Sequence, residues 1–247
     1  MNERKLLWKP QLSSIFDWVA DYESIDKKIT VDLRNICPPI YDQGLLGSCT
    51  GNAIAGTYEI AGIKQGLPLE TPSRLFIYYN ERVIENSVES DAGAVIKDGI
   101  QTLVHQGVCP ENEWPYIESE FRTKPTDACY THALNHVIKS YSLVPQTPSQ
   151  LQGCLSAGYP YVFGFTVYSS FMSAEVERTG MMSMPQSDDR VQGGHAVVCV
   201  GYIRINGANY YIIRNSWGTN WGVGGYFFMP EAYMLSDLCS DFWDIKY

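Results

Sequence analysis

Four short motifs carry the residues in this chain that could do chemistry. They are Gln43-Gly44, Gly47-Ser48-Cys49, Gly193-Gly194-His195-Ala196 and Asn215-Ser216-Trp217-Gly218, in that order. A cysteine that attacks a carbonyl must be a thiolate. It also needs a proton carrier and hydrogen-bond donors for the oxyanion that develops. A thiol at a helix N-terminus is acidified by the positive end of the helix dipole and by a neighbouring imidazolium. Cys49 stands where a loop gives way to a helix pattern, after small residues that leave it uncrowded. His195 opens a β-rich run and Asn215 closes another, so a fixed scaffold could hold the imidazole opposite the helix. The remaining histidines, His105, His132 and His136, are expected to be structural or exposed, as is Trp221, and no metal site is expected.

The elements that must position these groups follow from periodicity. A helix is predicted from Cys49 to about Lys64, with an inward stripe of Ala53, Ile54, Thr57, Tyr58, Ile60 and Ala61 and a stop at Gly66. Thr71-Pro72-Ser73 reads as the cap of a second helix, and a third covers about 93–106. After Pro125 the runs 137–144, 161–167, 195–203 and 210–214 are rich in Val, Ile, Tyr and Phe and read as strands. Asn206-Gly207 is a hairpin turn. Only 149–157 looks helical in this half. A helical half followed by a β half implies two subdomains with a cleft between them.

These motifs together resemble the papain family of cysteine peptidases. The Cys-to-His interval is 195 − 49 = 146 and the Cys-to-Asn interval 215 − 49 = 166. The first fits the family's spacing of roughly 130–150 residues and the second is slightly long, which implies inserted residues in the β half. Val31-Asp32-Leu33-Arg34 looks like the family's mature start, and Gly224-Gly225-Tyr226 resembles its final strand. The resemblance covers about 27–247. It implies an α+β, papain-like two-subdomain fold: a helical half over about 31–135, a β-barrel-like half over about 136–235, a C-terminal tail over 236–247 and an active-site cleft between the halves. Residues 1–26 then form an N-terminal extension resembling a pro-segment, with an apolar stretch over 12–20. Part of it is expected to restrict the cleft, with Lys27-Lys28 as an accessible processing point.

Carried over by position, the resemblance implies Cys49 as nucleophile, His195 as general acid/base and Asn215 as the group that orients the imidazole. Gln43 and the Cys49 backbone N–H make the oxyanion hole, and Trp217 shields the Asn–His bond. Gly93 would pair with an extended substrate, Gly194 precedes the base, and Asp244, counted from Cys239, would floor a specificity pocket. The expected activity is peptide hydrolysis, internal in the substrate chain, with no cofactor. A silent binding protein and an isopeptidase, ligase or amide hydrolase of the same fold are the alternatives. The departures from the pattern are Thr50 in place of Trp, and Leu46, Ser90 and Asp189 in place of disulfide cysteines. They leave no family disulfide, and they make the chain more similar to compact bacterial and viral members than to lysosomal ones.

Composition sets the partners. The chain has 247 residues, seven cysteines and a formal net charge of −9. An acidic surface repels phosphate backbones and anionic lipid, so nucleic acid and membrane are not expected partners. A monomer acting on peptide or protein is expected. No apolar run approaches the roughly 20 residues of a bilayer span, and Lys9-Pro10 breaks any signal-peptide pattern. The reading is a cytoplasmic protein, or one delivered by a route that needs no signal peptide.

Overall fold

A computed structural model describes residues 4–11, 14, 17–67 and 70–247. After a short strand β1 (Val31–Asp32), the helical half contains α1 (Cys49–Lys64), α2 (Arg74–Ile84), α3 (Ile96–His105) and α4 (Asp127–Ala133). The β half contains β2 (Ser140–Leu143), α5 (Pro148–Ser156), β3 (Tyr161–Tyr168), α6 (Ala174–Thr179), β4 (Val191–Ile205), β5 (Ala208–Arg214), β6 (Tyr226–Pro230), α7 (Glu231–Met234) and β7 (Cys239–Lys246).

All strand pairs are antiparallel, in the order β2-β7-β3-β4-β5-β6, with β1 added beside β4. The sheet stays open, with β2 and β6 at its ends, rather than closing into a barrel. The predicted tail is a strand in the body of this sheet: β7 runs between β2 and β3 and is buried along most of its length. Two large apolar clusters flank the sheet. One holds Phe163, Phe165, Phe171, Trp217, Trp221 and Phe227. The other joins α1 to the sheet through Ala53, Ile54, Val198, Ile212, Trp243 and Ile245.

Helix α1 differs from the predicted stripe. Residues 49–62 are buried on every side, because α1 packs on β4 and β7 with one side and on α2 and α3 with the other. A helix enclosed on every side belongs to the core, and its polar side chains are bonded there, Asn52 to Ser48 O and Thr57 to Ala53 O. The helices α4, α6 and α7 were not legible as helices. They span seven, six and four residues, too short for an apolar period to repeat; Thr126 and Ser173 cap the first two with side-chain hydroxyls that accept N–H bonds.

The N-terminal extension lies along the body as a strap. Ala20 N–H donates to Leu143 O at 2.8 Å and Leu143 N–H donates to Trp18 O at 2.7 Å, so the strap borders β2. Of the predicted apolar stretch, Leu12, Ile15 and Phe16 lie outside the described residues, Trp18 and Val19 are exposed, and Ala20 is buried. Tyr22 is buried as well, and its hydroxyl donates to the Asp244 carboxylate.

That contact corrects the reading of Asp244. Its side chain is fully buried away from the cleft, where it accepts from Tyr22, from the Ser142 N–H at 2.9 Å and from Lys246 at 3.3 Å. Alternation from Cys239 fails as a guide because Asp241 adopts φ +59° and the β3–β7 register slips between Val162↔Trp243 and Gly164↔Ser240. One extra residue on β7 re-aims the side chains beside it. Asp244→Ala would leave the buried Tyr22 hydroxyl and the Ser142 N–H without their acceptor. We expect a loss of about 2–4 kcal/mol in denaturant unfolding with cleavage preferences unchanged; a loss below about 0.5 kcal/mol would show that the carboxylate ties nothing down.

Candidate active site

Cys49 is the first residue of α1, where backbone N–H groups lack intrahelical partners and the helix dipole is positive. The sequence delivers it there through the buried turn at Gln43. Gln43 N–H donates to Ser216 O at 2.9 Å, its Oε1 accepts from the Ser216 hydroxyl at 2.6 Å, and its Nε2 donates to Leu46 O at 3.0 Å. The 43–48 turn of the helical half is thus bonded to the loop after β5. One Nε2 proton of Gln43 remains beyond the bond to Leu46.

His195 lies in β4, paired with Phe165 of β3. Its Nε2 donates to Asn215 Oδ1 at 2.8 Å, while its Nδ1 has no hydrogen-bond partner. Asn215 Oδ1 also accepts the Ser216 N–H at 2.9 Å, which fixes the amide orientation. The Trp217 ring stacks on the imidazole at 4.8 Å and 26°, and Trp221 packs edge-on against Trp217 at 4.9 Å. An indole over the ring keeps water from the His–Asn bond. Trp221 is buried structure behind it, as the sequence suggested. The Cys49 thiol lies close to the backbone of Ala196, the residue after His195, and of Leu7 in the N-terminal segment.

The structure adds what sequence reasoning left open: residues 4–11 run through the cleft. Trp8 N–H donates to Gly194 O at 3.0 Å, Gly194 N–H donates to Leu6 O at 3.2 Å, and Lys9 N–H donates to Ala94 O at 3.1 Å. The segment is therefore an extended strand gripped by the 93–94 backbone of the helical half and the 193–194 backbone of the β half. Gly93 has φ +66°, and a Cβ there would lie 1.9 Å from Leu7 O. Glycine is required by both its conformation and this approach. A Cβ on Gly164 would lie 1.9 Å from the Trp8 ring, so Gly164 opens the pocket that the indole fills.

Basic residues of the segment meet acids on the rim. Arg4 pairs with Asp42 at 3.0 Å, Lys5 with Asp91 at 2.6 Å and Lys9 with Glu85 at 2.5 Å, and Lys97 pairs with Asp17 further along the strap. Burial would raise the Asp42 carboxyl, but the Gly44 N–H and Arg4 together hold it below its usual value. Asp241 lies beside Trp8, without a well-aligned bond to the indole N–H, and accepts the Gln11 N–H at 3.0 Å. Burial pushes the Asp241 carboxyl up to about 6. The sequence held a signal for it: it sits three residues before Asp244 on the same strand.

With the strap in place Cys49 and His195 are fully buried. Burial pushes the Cys49 thiol up to about 11, assisted by the nearby Glu81, and pushes the His195 imidazole down to about 4. Both directions favour neutral thiol and neutral imidazole over the ion pair. All seven cysteines are free thiols in this structure.

Comparison with known proteins agrees with this geometry. Residues 29–239 match the profile of the papain family cysteine protease. The chain belongs to this family. It is 45% identical over 215 residues to an uncharacterized peptidase C1-like protein of Acanthamoeba polyphaga mimivirus, covering 83% of this chain and 68% of that protein. It is 27% identical to mouse pro-cathepsin H over 83% of this chain, and spans 60% of that relative's length. Among solved structures, xylellain, a cysteine protease from Xylella fastidiosa, superposes with a TM-score of 0.91 at 40% identity, covering 100% of this chain and 98% of that one.

Removing the indole tests how the cleft is held shut. Loss of a buried Trp costs about 3–5 kcal/mol, and each 1.4 kcal/mol is about tenfold in an equilibrium. We expect Trp8→Gly to raise the rate of Cys49 alkylation by iodoacetamide at pH 7 at least about tenfold. An unchanged rate would mean that residues 4–11 do not control access to the thiol.

Proposed function

We propose that this chain hydrolyses peptide bonds through a Cys49 acyl-enzyme, and that residues 4–11 hold the enzyme closed until they are displaced or cut. The observation that carries the reading is the His195–Asn215 bond under Trp217, which leaves the other imidazole nitrogen without a hydrogen-bond partner. Once the strap leaves, water reaches the pair. The burial that disfavours the ion pair is relieved, and the helix dipole together with the imidazolium stabilises the thiolate.

The thiolate sulfur attacks the scissile carbonyl carbon. The oxyanion that forms is held by the free Gln43 Nε2–H and the Cys49 backbone N–H. As the tetrahedral centre collapses the C–N bond breaks, and the His195 imidazolium gives its proton to the departing amine. A water then loses a proton to His195 and attacks the thioester, releasing the acid and restoring the thiol pair. Asn215 keeps the ring in register through both proton transfers, and Trp217 keeps that bond dry. The substrate would lie as the strap lies, paired with the backbone at Gly93–Ala94 and Gly194. A peptide or protein substrate and a monomeric enzyme fit this reading.

Cys49→Ala and His195→Ala, each in protein freed of residues 4–11, are expected to lower kcat/KM by about 10⁴-fold or more, and Asn215→Ala to leave measurable turnover, because Asn only orients the ring. Amide hydrolysis surviving in Cys49→Ala would overturn the assignment.

The pocket filled by Trp8 gives a specificity prediction. Its walls are apolar and Asp241 lies at its edge. When an aromatic side chain buries the Asp241 carboxyl as Trp8 does, raising it to about 6, the carboxyl is neutral below that pH and the aromatic side chain is favoured. Above that value the carboxylate is ionised, and a Lys or Arg gains a charge-assisted bond of about 1–3 kcal/mol. In a fluorogenic peptide library the ratio of basic to aromatic preference at this pocket should rise by about tenfold as pH passes upward through the Asp241 value. In Asp241→Asn the ratio should stay flat. A ratio independent of pH in the wild type would remove Asp241 from the pocket.

A further inference from the structure

Three side chains of metal-ligand type meet in the helical half, outside the cleft and against the expectation that these histidines have no shared role. Glu70, His132 and His136 each offer one ligand atom, and these atoms lie within 4.8 Å of one another. Glu70 belongs to the connector between α1 and α2, and His132 to the end of α4. His136 closes the following turn, where its N–H donates to Ala133 O at 2.8 Å. That turn preserves the side-by-side placement of residues four apart after the helix has stopped, and the two rings are 5.2 Å apart. The backbone beneath is anchored, since His136 O accepts from the Tyr58 hydroxyl at 3.4 Å and Ile138 N–H donates to Leu103 O at 3.2 Å.

A fourth residue supplies the independent sign. Glu113 Oε1 lies 2.5 Å from His132 Nδ1. A carboxylate on Nδ1 fixes the tautomer and leaves Nε2 as the lone-pair nitrogen available to an ion, as second-layer carboxylates do for metal-bound histidines. We propose that Glu70, His132 and His136 form a site for a borderline divalent transition ion, zinc foremost, with Glu113 orienting His132 behind it.

The donor set decides the class of ion. Two imidazoles and one carboxylate suit zinc, whereas magnesium and calcium prefer oxygen donors throughout. Zinc bonds of about 2.0–2.1 Å in a tetrahedron put ligand atoms about 3.4 Å apart, so the trio must close by about 1.4 Å at most. Glu70 is exposed and both histidines are part-buried, so the carboxylate is the member free to close. The fourth position is left for water. The bound ion would tie α4 to the connector that leads into α2. Three residues after Glu70, Ser73 caps α2, and Arg74 then bonds Glu111, Asn52 and Asp42 O. The ion therefore acts as a clamp on the helical half, and it takes no part in the chemistry at Cys49.

The test uses full-length Cys49→Ala protein, which removes the thiol placed in the active site as a competing ligand. Chelator-stripped protein is titrated with Zn²⁺ alone against a chromophoric indicator, and melting is followed with and without the ion. We expect one ion per chain and a rise in Tm, with affinity lowered at least about tenfold by His132→Gln, by His136→Gln and by Glu70→Gln, and by about 10- to 100-fold by Glu113→Gln. His105→Gln should change nothing. Co²⁺ in place of Zn²⁺ should give visible absorption that the double variant His132→Gln/His136→Gln lacks. Circular dichroism of the variants checks that they fold. Absence of saturable binding to the parent protein, or unchanged binding in a folded double variant, would overturn the site and leave a hydrogen-bonded Glu113–His132 pair.

Discussion

The burial of α1 between the sheet and the other helices is the constraint on which the rest of the structure depends. Because residues 49–62 are enclosed, the helix can neither rotate nor slide. Its first residue is therefore held at a fixed height against β4, the strand that carries His195. The apolar cluster that spans α1, β4 and β7 includes Cys49 itself. The Cys49 thiol is thus placed by packing, and the same close packing that gives it precision also raises its pKa while the N-terminal segment lies in the cleft.

The second partner is fixed from the opposite side. Strand β4 is paired along its length with β3 and β5, and Asn215 follows directly from the end of β5. Sheet register brings His195 and Asn215, 20 residues apart, to a 2.8 Å bond. The aromatic group Trp217, Trp221, Phe171 and Phe227 seals this side. Gln43 crosses between the halves, and its bonds to Ser216 join the turn before α1 to the loop after β5. The site is therefore an interface between two subdomains, and its geometry is as good as their docking.

The strap uses the same interface as a third component. Its backbone takes bonds from both walls, its indole fills a pocket that two glycines leave open, and its cations answer acids on the rim. Isolated surface ion pairs contribute little, so closure rests on the buried Trp8 and the strand-like hydrogen bonds, with the charges setting register. A net charge of −9 with the basic residues Arg4, Lys5 and Lys9 gathered in one short stretch makes that stretch complementary to the body.

The sequence by itself determined the family and the order of the parts. Cys49, His195, Asn215 and Gln43 were legible because their types, their small neighbours and their spacing are local properties of the chain. The long helix α1 and the strands β3, β4 and β5 were legible because their patterns repeat enough times to be read. Only the tertiary structure decided which acid faces the cleft. Asp241 and Asp244 lie three apart on β7, and a left-handed residue with a one-residue register slip sends the first toward Trp8 and the second into the core beside Tyr22. It likewise decided that residues 4–11 lie between the 93–94 and 193–194 backbones, and that Glu70 meets His132 and His136. Contacts of this kind depend on how distant segments dock, and no local pattern of residues encodes the distance between them.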